Sequence, residues 1–291
     1  MVKRLTGMLI FLSLLGFLMA KGQKFPKGVS SALDKAVKGE LMRDDLHLAF
    51  VKDLYYPAQG GDIYFVQFVK ADLPEIEEGK PAHIFLRLYD KKGKKVEDLY
   101  APIDKVSEFY SFPITFAPGK YKIAVLVGTN DLKKFSVKVK AVDGDNLLNF
   151  RRLSTTPIVF LKGMEKLPEP IKEFRCYHGE FPLGLYMVKP YIYEKVTAGR
   201  TPAVFFFILG AQAQKPANTY NLVVSYQIKK EGKVVTKFPK QQLTYSVVYQ
   251  PIPLKSHGAP LEPGLYTLHI KIQDMNARAE MEKNLNFEIT K

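Results

Sequence analysis

The phrase Pro118-Gly119-Lys120-Tyr121-Lys122-Ile123-Ala124-Val125 returns 145 positions later as Pro263-Gly264-Leu265-Tyr266-Thr267-Leu268-His269-Ile270. Each copy is a Pro-Gly turn followed by strict alternation. Tyr121, Ile123, Val125 and Val127 in the first match Tyr266, Leu268, Ile270 and Ile272 in the second. A period of two directly after a turn marks an antiparallel strand with one face on a core and the other in water. A chain that carries this unit twice, half its length apart, is constrained towards two similar β-domains in tandem.

Two other stretches extend the repeat. Tyr89 to Val96 and Ile228 to Val235 both read as strand, polar glycine turn, strand, the signature of a hairpin, with Gly93 and Gly232 139 positions apart. Glu78-Gly79-Lys80-Pro81 leads into Ile84 to Leu88, and Ala198 to Pro202 leads into Val204 to Ile208, with Gly79 and Gly199 120 apart. On this alignment the inward Ile84, Leu86 and Leu88 match Val204, Phe206 and Ile208, and loop insertions account for the drift in spacing.

The amino terminus carries Lys3 and Arg4, an apolar run from Met8 to Met19, then Ala20 before the polar Lys21-Gly22-Gln23-Lys24. That order is the pattern of a secretory signal peptide, and the run is shorter than the ~20 residues a spanning helix needs. The expectation is an exported protein, periplasmic or extracellular, with cleavage after Ala20; an uncleaved amino-terminal anchor is the alternative. Cys176 is the single cysteine, so no internal disulfide forms and each domain must rest on a hydrophobic core.

The expected fold is all-β: two tandem immunoglobulin-like antiparallel β-sandwiches after the signal peptide. Residues 1–20 are the signal and 21–45 an amino-terminal segment with a short helix from Ser31 to Lys38. The first sandwich spans 46–143, a Pro-rich linker 144–182, and the second sandwich 183–291. Outside the signal no helix of three turns is expected, and frequent turn signals argue against a parallel α/β sheet. Tyr121 and Tyr266 open late strands, where a tyrosine corner sits in immunoglobulin-like domains.

Tyr191 to Gly199 introduces a strand pair, and Leu261 to Tyr266 closes a domain with Leu-x-Pro-Gly-x-Tyr. In these two phrases, residues 150–291 resemble the carboxyl-terminal halves of exported bacterial proteins of the GWxTD-motif and von Willebrand A-related kind. The resemblance implies a sandwich fold and export. It carries no active site, because the chain has neither a Gly-Trp-x-Thr-Asp motif nor an Asp-x-Ser-x-Ser metal motif.

The net charge of +14 falls to +12 without Lys3 and Arg4 and favours acidic partners; export argues against nucleic acid. Lysine concentrates at two hairpin tips, Lys91, Lys92, Lys94 and Lys95 in the first copy and Lys229, Lys230 and Lys233 in the second. Such lysines also serve to keep turns and sheet edges soluble. A second candidate surface is Ala203 to Leu209, apolar on both faces. Val204, Phe206 and Ile208 are assigned to the sandwich core. Phe205 and Phe207 lie on the other face, which the linker, the first domain or a partner must cover.

Signatures of catalysis are missing from the sequence. His47, His83, His178, His257 and His269 are scattered without metal-ligand spacing, and there is no nucleophile elbow, phosphate loop or dinucleotide fingerprint. Cys176 and His178 share a strand face but have no third group beside them. Asp143 and Asp145 read as a polar turn rather than a calcium loop, which needs six to eight oxygens. No cofactor and no metal is expected. The expected function is a non-enzymatic interaction or assembly module of the bacterial cell envelope, with another envelope or secreted protein as partner. The alternatives are a binding module for anionic polysaccharide or lipid through the lysine-rich tips, or a periplasmic chaperone-like protein.

Overall fold

The computed structural model describes residues 25–171 and 176–291; the signal-peptide expectation lies outside them. Strands make up 54% of the chain and helices 7%, which places it in the all-β class. The chain forms two compact units, one of residues up to Leu147 together with Glu165–Val188, the other of Leu148–Met164 with Lys189–Lys291.

The first unit begins with helix α1 (Lys27–Lys38), followed by β1 (Arg43–Asp44), β2 (Ala49–Pro57), β3 (Ile63–Lys70), β4 (Ala82–Asp90), β5 (Lys95–Ile103), β6 (Tyr110–Phe116), β7 (Lys120–Gly128) and β8 (Phe135–Asp143). They make two antiparallel sheets, in the orders β2-β3-β6 and β1-β8-β7-β4-β5. The segment expected as a linker is shared out between the units. It contributes β9 (Ser154–Thr155) and most of β10 (Val159–Lys166) to the second and β11 (Phe181–Leu183) to the first, where β11 forms a hairpin with β12 (Tyr186–Pro190).

The second unit continues with β13 (Lys195–Thr197), β14 (Ala203–Leu209), β15 (Leu222–Lys230), β16 (Lys233–Lys237), β17 (Gln241–Leu243), β18 (Val247–Pro251), the short pair β19 (Lys255–Ser256) and β20 (Ala259–Pro260), β21 (Gly264–Asp274) and β22 (Ala279–Thr290). Here β14 lies between β10 and β18, and β22, β21, β15 and β16 follow one another in the other sheet. One apolar cluster joins the two sheets: Val204, Phe206 and Ile208 of β14 pack with Val224, Tyr226 and Ile228 of β15 and with Leu268, Ile270 and Ile272 of β21. These are the residues that alternation places inward.

Both units therefore use the same strand order, with β2-β3-β6 answering to β10-β14-β18 and β8-β7-β4-β5 to β22-β21-β15-β16. This corrects one sequence alignment. Strand β14 starts at 203 and matches β3, which starts at 63; β4, which starts at 82, matches β15 at 222. The spacing of 140 agrees with the 139 of the hairpin glycines, whereas the alignment of Ile84–Leu88 with Val204–Ile208 is one strand out of step. Both pairs share a glycine turn, a proline and an apolar run, and that local likeness misled the comparison.

The units differ in what lies on the outer faces of their sheets. In the first, Phe85, Tyr89, Ala124, Leu126 and Val137 form a second apolar face under α1, which buries Val29, Ala32 and Leu33 against it. In the second, the matching positions are Ser225, Lys229, His269 and Lys271, all half-exposed, and the exposed Glu282. Helix α1 has twelve residues, about three turns, and so exceeds the short Ser31–Lys38 helix expected. Its apolar residues Val29, Ala32, Leu33, Ala36 and Val37 keep the i, i+3, i+4, i+7, i+8 spacing of one face. It follows Pro26 and ends at Gly39, which sits at φ 78° and donates its N–H to the Ala36 carbonyl, a left-handed glycine cap. The three-stranded sheet of the first unit is covered in turn by Phe181, whose ring stacks on Tyr56 at 5.9 Å and meets Phe68 edge-on at 6.1 Å.

Candidate functional site

Each Pro-Gly turn closes a corner in the same way. Gly119 has φ 156° and Gly264 φ 148°, and a Cβ on Gly119 would press on the Tyr121 ring at 3.2 Å. Glycine lets the chain turn so that the next tyrosine folds back over it. The Tyr121 hydroxyl donates to the Ala117 carbonyl at 3.0 Å, and the Tyr266 hydroxyl donates to the Glu262 carbonyl at 2.8 Å. Beside the first corner the Gly144 N–H donates to the Gly119 carbonyl at 2.7 Å. A Cβ on Gly144 would reach that same oxygen at 2.9 Å, so glycine is required for this backbone-on-backbone contact. The Asp143-Gly144-Asp145 stretch is a short 3-10 turn in which Asp143 accepts the Asn146 amide at 2.8 Å.

Around the first corner opens a cleft of about 550 Å³. The β4–β5 turn supplies Asp90, Lys91 and Lys92, the corner supplies Pro118, Gly119, Lys120 and Tyr121, and the 3-10 turn supplies Asp145. Asp90 is occupied in shaping its own turn: one carboxylate oxygen accepts the N–H of Lys92 at 2.8 Å and of Lys94 at 2.9 Å. Burial, and then the charges of Asp62, Asp145 and Asp90, push the Tyr121 hydroxyl above its ordinary pKa. It stays protonated, gives its hydrogen to Ala117, and leaves its oxygen as an acceptor.

The lysines singled out in the sequence have different fates. Lys91, Lys92 and Lys94 are exposed, and among the described residues none of the three makes an ion pair. Lys95 is paired with Asp98 at 3.0 Å. Farther along the same unit Lys133 pairs with Asp131 at 3.1 Å, Lys138 with Asp44 at 2.8 Å, and Lys140 with Asp53. In the second unit Lys233 is exposed and Lys229 half-buried, while Lys230 places its ammonium 5.3 Å from the Tyr266 ring centroid. A cation in that position is attracted to the ring face.

Phe205 and Phe207 lie off the core cluster that holds Val204 and Phe206, as expected. Phe205 is 2% exposed, Phe207 is half-buried, and the two rings meet edge-to-face at 5.8 Å. Burial pushes the Cys176 thiol above its usual pKa, which disfavours the thiolate. Among the described residues, no three or more His, Cys, Asp or Glu are arranged to hold a metal ion.

One charged cluster lies outside the residues singled out in the sequence. Arg87 and Asp98, 4% and 8% exposed, form a two-pronged pair across β4 and β5 at 2.5 and 2.9 Å. The free edge of the guanidinium donates to Ser30 and Asp34 of α1, each at 2.9 Å, and Tyr89 donates to the same Asp34 at 2.7 Å. The Phe25 ring lies 5.1 Å from the guanidinium carbon. The cluster fastens α1 to the sheet. The available signal was an arginine at the centre of an otherwise apolar strand, where a charge must be paired to be buried.

Comparison with protein-family models gives no match for this chain, and comparison with curated proteins gives none either.

Proposed function

We propose that this protein is an exported, non-enzymatic binding module of the bacterial cell envelope, made of two immunoglobulin-like sandwiches, which engages an anionic polymer through the lysine-rich end of its first unit. The observation that carries this reading is the contrast among its lysines. Lys138 and Lys140 on β8 are paired with carboxylates, whereas Lys91, Lys92 and Lys94 stand together in one turn, exposed and without an ion pair among the described residues, and the first two line a cleft. An uncompensated cluster of cations attracts anions and loses that attraction as salt rises.

The shared strand order and the two tyrosine hydrogen bonds support the immunoglobulin-like reading. Export is supported by the basic, apolar and small-residue order of residues 3–20. Assembly through the second face of β14 is less favoured, because Phe205 is already buried within the chain.

The test is retention on an immobilised polyuronate. Binding should be tight at about 50 mM salt and weakened at least about tenfold by about 500 mM. Retention indifferent to salt, or no retention at low salt, would reject the reading, as would release of new reducing ends from the polymer.

A further inference from the structure

The two corners share a backbone and differ in what stands beside the tyrosine. In the first unit Asp90 lies opposite Tyr121 across the β4–β7 pair. In the second, Lys229 lies opposite Thr267, which puts Lys230 at the place that answers to Asp90. Lys230 folds over the Tyr266 ring, and a Cβ on Gly264 would lie 3.7 Å from its ammonium; the side chain fills its own corner. Asp90 instead turns its carboxylate into the hairpin backbone, and the first corner is left open.

The open corner is not uniformly cationic. Lys91, Lys92 and Lys120 line it, and so do Asp145 and Tyr121, whose hydroxyl oxygen remains an acceptor. A bare run of phosphates would be attracted by the lysines and repelled by Asp145. A sugar that carries a carboxylate meets both demands: its acid group pairs with lysine, and its hydroxyls donate to the carboxylate and the phenol oxygen. The volume of about 550 Å³ falls in the range of small-ligand sites, roughly 300–1,000 Å³. A flat bilayer surface cannot enter a concave corner of this kind.

We propose that the cleft at the Tyr121 corner is a saccharide subsite that takes a carboxylate-bearing sugar unit of an acidic polysaccharide, and that the matching Tyr266 corner is closed to it by Lys230. This rests on the reading of the protein as an anion-binding module and names its ligand class and its place. With the Tyr266 corner closed, the subsite lies in the first unit, where the protein grips the polymer.

The experiment is calorimetric titration of the intact protein with a galacturonic acid trimer, set beside binding of long polygalacturonate and of phosphatidylglycerol vesicles. Two variants are compared with the wild type: Lys91→Gln/Lys92→Gln/Lys120→Gln, and Lys229→Gln/Lys230→Gln/Lys233→Gln. All six positions are turns or strand ends, and unchanged circular dichroism confirms the fold of each variant. The trimer should bind with one site per chain; the first variant should lose at least about tenfold in affinity and the second less than about threefold. Equal losses in the two variants would overturn the subsite, and so would binding of the polymer or the vesicles without binding of the trimer, while the broader anion-binding reading stood. If none of the three probes binds at low salt, both fall.

Discussion

Tyr121 and Tyr266 make the same hydrogen bond in two different units. Each hydroxyl donates to the carbonyl four residues upstream, at 3.0 Å to Ala117 and at 2.8 Å to Glu262. The bond ties the start of β7 or β21 to the turn before it, and the glycine between makes room for the ring. A hydrogen bond of this kind contributes about 1 kcal/mol net. Tyr121→Phe and Tyr266→Phe should therefore each lower stability by about 1 kcal/mol in urea unfolding, and by similar amounts. A cost confined to one of them would break the structural equivalence of the corners.

The Arg87–Asp98 pair should matter more. Removing one partner of a buried ion pair typically costs about 3–5 kcal/mol, because the other charge is left buried and alone. Arg87→Met should destabilise the first unit on that scale and loosen α1, since Ser30 and Asp34 lose their shared donor. The double variant Arg87→Met/Asp98→Leu should recover much of the global stability while α1 remains loose, read by amide exchange at Leu33. If Arg87→Met costs under about 1 kcal/mol, the cluster is not what fastens the helix.

Loss of the helix itself should be visible at the surface. A protein that begins at Leu41 would leave Phe85, Ala124 and Leu126 uncovered, a contiguous apolar patch of the sort that drives association. Such a protein should bind a hydrophobic dye and self-associate at neutral pH. A monomer without dye binding would contradict the account of α1 as the cover of that face.

Much of this was legible in the residues, and what escaped has identifiable causes. The corner phrase pairs a glycine of unusual φ with a tyrosine three chemical constraints deep (turn, ring contact, alternation), and few unrelated sequences satisfy all three. Glycine, proline and an apolar run are commoner, so the stretch before Ile84 was paired with the stretch before Val204, although β14 answers to β3. Helix α1 looked short because Lys27 and Gly28 carry no helical signal by themselves. Its length follows from the apolar face of the sheet that Val29 and Leu33 cover, and that face became visible only when Phe85, Ala124 and Leu126 were set side by side across strands. At the candidate site the lysines could be named from the sequence, whereas much of the lysine pairing could not, because Asp44 and Asp53 reach Lys138 and Lys140 through the fold.

The β7–β8 turn should show a pH response of defined sign. Asp131 accepts the N–H of Lys133 at 3.1 Å, the Thr129 hydroxyl at 2.9 Å, and faces the Lys133 ammonium at 3.1 Å. These partners, the Lys133 N–H foremost, hold its pKa down at about 2, whereas an aspartate in the unfolded chain titrates near ~3.9. The unfolded state therefore takes up the proton first on acidification. The stabilisation is complete above about pH 4 and is lost as pH falls towards about 2. A carboxyl-carbon titration of Asp131 should give a midpoint near 2; a midpoint near ~4 would show the turn to be unformed in solution.

The central claim is that one corner of this molecule is open to an acidic sugar and the other is closed. The most direct measurement is the map of amide shifts in the labelled full-length protein as the galacturonic acid trimer is added at low salt. The account predicts saturable shifts at Lys91, Lys92, Gly119, Lys120 and Tyr121, reversed by added salt, with Gly264 and Tyr266 unmoved. Shifts of equal size at the Tyr266 corner, or no shifts at the Tyr121 corner, would contradict it.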